Sequence, residues 1–153
     1  MNIEIISKDS ELAIAVKYDA VDSTNMVGII GEGYGKLQAY MAQNGNQITG
    51  APYCKYTNPS ADYMQFDIEL GFPVSEPLPE IDGIFMSKTC EGKAISAVHK
   101  GAYKDIEKTY ALMMQYQEDN KLESTGVYYD HYISDPAETP EDELLTQVIF
   151  FVK

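Results

Sequence analysis

Met64-Gln65-Phe66-Asp67-Ile68-Glu69-Leu70-Gly71-Phe72-Pro73-Val74 is the stretch on which the fold reading turns. Met64, Phe66, Ile68 and Leu70 alternate with Gln65, Asp67 and Glu69. A period of two puts the apolar set on one face of a β-strand and the polar set on the other. Such a strand needs partners and a cover for its apolar face, and both directions along the chain supply them.

Toward the N-terminus, Gly50-Ala51-Pro52 is a turn, Tyr53–Tyr56 is a short strand, and Asn58-Pro59-Ser60 breaks it. Upstream, Met26, Ile29, Ile30, Leu37, Tyr40 and Met41 recur at helical spacing between the start residues Asp22-Ser23-Thr24-Asn25 and the stop Asn44-Gly45. Four glycines lie between Gly28 and Gly35. Each costs a helix interior about 1 kcal/mol relative to Ala, so the firm prediction is a helix over Tyr34–Gln43. Met1–Ser7 and Glu11–Asp19 read as strands, the second with Leu12, Ile14, Val16 and Tyr18 on one face.

Toward the C-terminus, Ser75–Pro79 is a connector. Ile84–Thr89 and Lys93–His99 are strands joined around Glu91-Gly92. Tyr103–Asp119 is a helix with Tyr103, Ile106, Tyr110, Met113, Met114 and Gln117 along one stripe. Gly126–Ile133 is a strand, Asp135–Glu143 an acidic loop with prolines, and Leu144–Val152 the closing strand.

The second half repeats the order of the first. Gly50 and Gly126 are 76 residues apart, as are Tyr56 and Tyr132, and each tyrosine is soon followed by a proline. The expectation is one domain over residues 1–153 of α+β class. It is built from two pseudo-symmetric strand-helix-strand-strand repeats, about 1–76 and about 80–153. These form antiparallel sheet with a ligand cleft between them.

Composition narrows the function. Acidic residues number 24 against 11 basic ones, a formal net charge of −13, and every basic residue is Lys. Without Arg and without a basic face, direct nucleic-acid binding is excluded as the main role, and an anionic membrane surface is disfavoured. Twelve Tyr against five Phe and no Trp make the rings mostly hydroxyl-bearing, suited to surfaces half apolar and half wet. No signal peptide and no bilayer-length apolar run is visible. Cys54 and Cys90 form no CxxC pair, and with two His they make no zinc set. The expectation is a cytoplasmic chain with reduced thiols, no metal and no cofactor. The sequence sets no oligomeric state.

Three groups of residues carry candidate binding chemistry. Tyr128, Asp130 and Tyr132 share one strand face, and a carboxylate between two tyrosines suits a delocalised cation; the alternative is a solvated strand face. Glu69 shares the polar face of its strand with Asp67, as a second cleft acid or as solvated charge. Tyr53 and Tyr56 are the repeat-mates of Tyr129 and Tyr132, and line the groove or pack at its rim. His99 reads as a structural hydrogen bond at a strand-to-helix turn, and His131 points away from Asp130. Gly31-Glu32-Gly33-Tyr34-Gly35-Lys36-Leu37 is no phosphate loop, because Ile30 stands where the first glycine belongs and Leu37 where Ser or Thr belongs.

The segment His99-Lys100-Gly101-Ala102-Tyr103-Lys104-Asp105-Ile106, followed by Tyr110-Ala111-Leu112, resembles the His-x-Gly-x-Tyr strand-to-helix entry of the GyrI-like small-molecule-binding domain. Gly126 through Tyr132 to Asp135-Pro136, continuing Thr139–Thr146, resembles that family's acidic-x-Tyr strand, Asp-Pro turn and closing Thr-containing strand. The resemblance covers the whole chain. It implies an effector-binding module of the kind attached to AraC- and MerR-type multidrug regulators, here free-standing. It implies a lipophilic, often cationic, aromatic ligand for sensing or sequestration, held by Asp130, Tyr132, Tyr128, Glu69, Tyr56 and Tyr53. The family's cleft acid is usually Glu, so Asp130 is one methylene shorter. Two other activities follow from the same resemblance: hydrolysis of cyclopropane-bearing, DNA-alkylating natural products, and inhibition of gyrase by protein contact.

Overall fold

A computed structural model describes residues 1–45 and 47–153. Eight strands and two helices follow the order β1 Glu4–Lys8, β2 Leu12–Asp22, α1 Met26–Gln43, β3 Tyr53–Thr57, β4 Gln65–Pro73, β5 Phe85–Lys88, β6 Gly92–Lys100, α2 Ile106–Asp119, β7 Ser124–Tyr132 and β8 Leu145–Val152. One turn of 3-10 helix, Tyr103–Asp105, leads into α2, and another, Glu141–Glu143, precedes β8. Contacts divide the chain into two compact units, Asp9–Cys90 and Met1–Lys8 with Glu91–Lys153.

In the unit Asp9–Cys90, β4 pairs antiparallel with β3 and β2, and β2 with β5, giving the order β3-β4-β2-β5. Register puts Cys54 opposite Leu70 and Leu70 opposite Val16, so these residues share the face that α1 covers. Gly33 explains how α1 forms over its glycines. A Cβ there would lie 2.4 Å from Leu70 Cδ1 and within 3.2 Å of Tyr18 and Val16, so the helix needs glycine to approach the sheet. At Gly28, Gly31 and Gly35 the space is open, and burial of Leu37, Tyr40 and Met41 outweighs their propensity cost. The helix therefore begins at Met26, eight residues before the sequence-based start at Tyr34.

In the other unit, β8 pairs antiparallel with β6 and β7, and β6 with β1, giving β7-β8-β6-β1. α2 packs on Ile95, Ala97, Val148 and Phe150 through Met113, with Ile106, Tyr110 and Tyr116 beside it. The stripe differs in detail from the sequence pattern: Thr109 is buried on it, while Met114 is exposed.

The halves exchange an edge strand relative to the sequence reading. Ile5 lies opposite Ile95, so β1 belongs with the second half, and Leu12 lies opposite Lys88, so β5 belongs with the first. Alternation alone cannot show this, because pairing is decided by which strand the chain can reach, not by order. With that exchange the two units carry the same strand order, β3-β4-β2-β5 and β7-β8-β6-β1.

Candidate functional site

Asp130 is 3% exposed, in the middle of β7. Its register partner on β8 is Val148, which packs under α2, so Asp130 points to the α2 side of the sheet with Tyr128 and Tyr132. Tyr110, on α2, donates its phenolic hydrogen to Asp130 Oδ2 at 2.5 Å. Tyr128 meets Phe150 edge to face at 4.9 Å between centroids, and its hydroxyl shares a hydrogen bond with Ser124 Oγ. Tyr132 meets Tyr103 edge to face at 5.6 Å. A buried carboxylate thus takes the Tyr110 hydroxyl and shares its strand face with Tyr128 and Tyr132. Carboxylates are rarely buried without a compensating partner, because burial strips their hydration.

The motif around Gly101 sets this geometry. Gly101 sits at φ +126°, where an L side chain is strained, and its N–H donates to Leu144 O. The chain then enters the 3-10 turn that carries Tyr103. His99 closes the same corner. Its Nε2 faces Ala102 O at 3.0 Å, so that nitrogen carries the hydrogen, and Thr109 Oγ1 then donates to Nδ1 at 2.8 Å. Both ring nitrogens are engaged, which makes His99 a clamp between β6 and α2 rather than a base.

Beside this corner is a depression of about 370 Å³ lined by Tyr103, Lys104, Pro136, Thr139, Glu141 and Leu144. Burial pushes the Tyr103 phenol up from its ordinary value, and the Asp135 charge adds to the shift. Tyr103 therefore stays neutral and hydrogen-donating well above neutral pH.

In the other unit the candidates fall on two faces. Tyr53 and Tyr56 are three apart on β3, so they point oppositely. Tyr56 meets Phe66 edge to face at 5.5 Å on the α1 side. Tyr53, fully buried on the other side, donates to Glu69 Oε2 at 2.6 Å, and Ser87 Oγ donates to the same oxygen at 3.0 Å. Register sets Lys17 and Lys55 on either side of Glu69, and opposite charges at cross-strand positions attract. Asp67, on the same face, accepts from Ala20 N and Asn58 Nδ2. The Asn58 bond first and the Ala20 bond next hold its carboxyl below the usual range. Glu69 and Asp67 thus each accept two hydrogen bonds from neighbouring residues. His131 stacks on Tyr129 at 5.4 Å, on the face opposite Asp130.

Two participants escape the sequence. Tyr110 reads there as a core ring on the α2 stripe; that its hydroxyl reaches Asp130 depends on where α2 lies over β7. Thr146 reads as one residue of a closing strand, yet it is fully buried beside Tyr132.

The chain matches, over residues 1–153, the family model described as the GyrI-like small molecule binding domain. A search of curated proteins finds no match. Among solved structures, the C-terminal domain of EcmrR superposes with a TM-score of 0.83 at 19% identity, covering 99% of this chain and 97% of that one. SAV2435 bound to tetraphenylphosphonium gives 0.73 at 13%, covering 100% and 94%. A hydrolase encoded by lin2189 of Listeria innocua gives 0.67 at 18%, covering 99% and 91%. These likenesses are of fold. Together with the whole-chain family match they leave one assignment: the chain belongs to the GyrI-like small-molecule-binding family.

Proposed function

We propose that the protein binds lipophilic aromatic cations on the α2 side of β7, as a sensor or a sequestering module. Asp130 is the counter-ion, and Tyr128, Tyr132 and Tyr110 supply ring faces and hydroxyls. The observation that carries the reading is the buried Asp130 carboxylate among tyrosines. A delocalised cation is weakly hydrated, so it enters such a site at lower desolvation cost than an ammonium ion. Each ring face it meets contributes about 0.5–2 kcal/mol. The net charge of −13 attracts cations at long range. That SAV2435 is described in complex with tetraphenylphosphonium supports the same ligand class.

Glu69 with Tyr53, and Tyr56 on its own face, are secondary in this reading. Glu69 already accepts the Tyr53 and Ser87 hydroxyls, and this reading gives Asp130 the main role. The matching strand orders of the two units support their descent from one duplicated half-domain.

Titration of a rhodamine-type cation, followed by fluorescence quenching, tests the reading. Saturable micromolar binding is expected, weakened at least tenfold in Asp130→Asn and much less in Glu69→Gln. Equal affinities in the parent and Asp130→Asn would remove Asp130 from the site.

A second reading is favoured by one contact, the phenol of Tyr110 on the carboxylate of Asp130. An acid beside a phenol is also the equipment for activating water against a reactive ring. Turnover of a cyclopropane-bearing alkylating compound, abolished in Asp130→Asn, would make the protein a hydrolase; its absence beside tight cation binding keeps it a binder.

A further inference from the structure

The polar side chains buried on the α2 side of this sheet are paired, with one exception. His99 is held by Thr109 and Ala102, and Asp130 takes the Tyr110 hydrogen. Thr146 Oγ1 is fully buried, and no protein atom hydrogen-bonds it; among the described residues it is the one buried side-chain polar atom so found. A buried hydroxyl without a partner is less stable than a methyl group in the same space, so Val would suit a purely structural role better.

Its position gives the hydroxyl a task. Thr146 is in register with His99 on β6 and Tyr132 on β7, and shares the α2-facing side with Val148 and Phe150. Asp130 pairs with Val148, so Thr146 is its diagonal neighbour across two adjacent strands, about 7–8 Å away between Cα atoms. Leu144, two residues earlier on the same face, lines the depression that Tyr103 borders. Tyr103 is 37% exposed and rests edge-on against Tyr132, the strand neighbour of Thr146.

We infer that Thr146 is a specificity residue: it hydrogen-bonds a polar substituent of a ligand whose cationic centre sits at Asp130. The inference rests on the cation-binding reading above and names the ligand more closely. The preferred ligand is an aromatic cation that also bears a hydroxyl or carbonyl group a few ångströms from its charge. A wholly apolar cation fills the site but leaves the Thr146 hydroxyl unpaired.

Matched phosphonium ions test this on the full chain by calorimetric titration: tetraphenylphosphonium against its 3-hydroxyphenyl and 4-hydroxyphenyl analogues. The parent is expected to prefer one hydroxylated isomer by about tenfold. Thr146→Val should abolish that preference and raise the Tm of the unliganded protein. Thr146→Ser, which restores the hydroxyl, should retain part of the preference. Equal affinity of the parent for all three ions, or a preference that persists in Thr146→Val, overturns the assignment while the cation site stands. Binding of none of the three defeats the cation reading, and the role of Thr146 with it.

Discussion

Gly33 offers the sharpest test of how α1 sits on its sheet. Replacing it with Ala puts a methyl group 2.4 Å from Leu70 Cδ1, 3.1 Å from Tyr18 Cε2 and 3.2 Å from Val16 Cγ2. Leu70 is fully buried and Val16 nearly so, which leaves little room to yield. Overpacking of this kind costs about 1–3 kcal/mol. Against it stands the helix preference of Ala over Gly, about 1 kcal/mol. Gly31→Ala and Gly35→Ala gain the same preference into open space and meet nothing. The difference between Gly33→Ala and either control is therefore the overpacking alone, about 2 kcal/mol. In a chain of this size 1 kcal/mol moves Tm by roughly 2–4 °C. Scanning calorimetry should place Gly33→Ala about 4–8 °C below Gly31→Ala, with both controls at or above the parent. A Gly33→Ala melting point equal to that of Gly31→Ala would refute the close approach of α1 to β2 and β4.

Other contacts make further predictions. His99→Leu strands Thr109 Oγ1 and Ala102 O in the interior, and should cost about 2 kcal/mol or more in chemical denaturation. Adding Thr109→Val should recover part of that loss, because the two residues share one bond. The Asp67 carboxyl is held below its ordinary 3.8, chiefly by Asn58. That contribution is present above about pH 4 and vanishes as pH falls through the folded-state value. The Tm gap between parent and Asn58→Ala should therefore be widest at neutral pH and narrow in acid to the pH-independent cost of placing Ala at φ +50°; a gap that stays constant with pH would exclude the charge-dependent bond. Tyr53→Phe removes one of two hydroxyl donors to Glu69. It should lower Tm by a few degrees and leave cation affinity unchanged.

The strands were legible because alternation is a local property of the chain. Gln65–Pro73, Tyr53–Thr57 and Leu145–Val152 all lie within two residues of where the pattern puts them. The extent of α1 was not legible, since propensity counts four glycines equally, whereas only Gly33 meets the sheet. Pairing partners were hidden for a different reason: β1 and β5 each carry too few residues to mark which half they join. At the site, strand alternation alone puts Tyr128, Asp130 and Tyr132 on one face and His131 on the other. The covering of that face by Tyr110, and the isolation of the Thr146 hydroxyl, depend on how a helix is placed over a sheet. No spacing rule carries that information.

A crystal structure of the chain with tetraphenylphosphonium would show whether Asp130 is the counter-ion of a bound cation. The phosphorus is expected within about 6 Å of the Asp130 carboxylate on the α2 side of β7, with Tyr128 and Tyr132 rings against its phenyl groups. A phosphonium seated on Glu69, or anywhere that leaves the Tyr110–Asp130 pair untouched, would contradict the role given to Asp130.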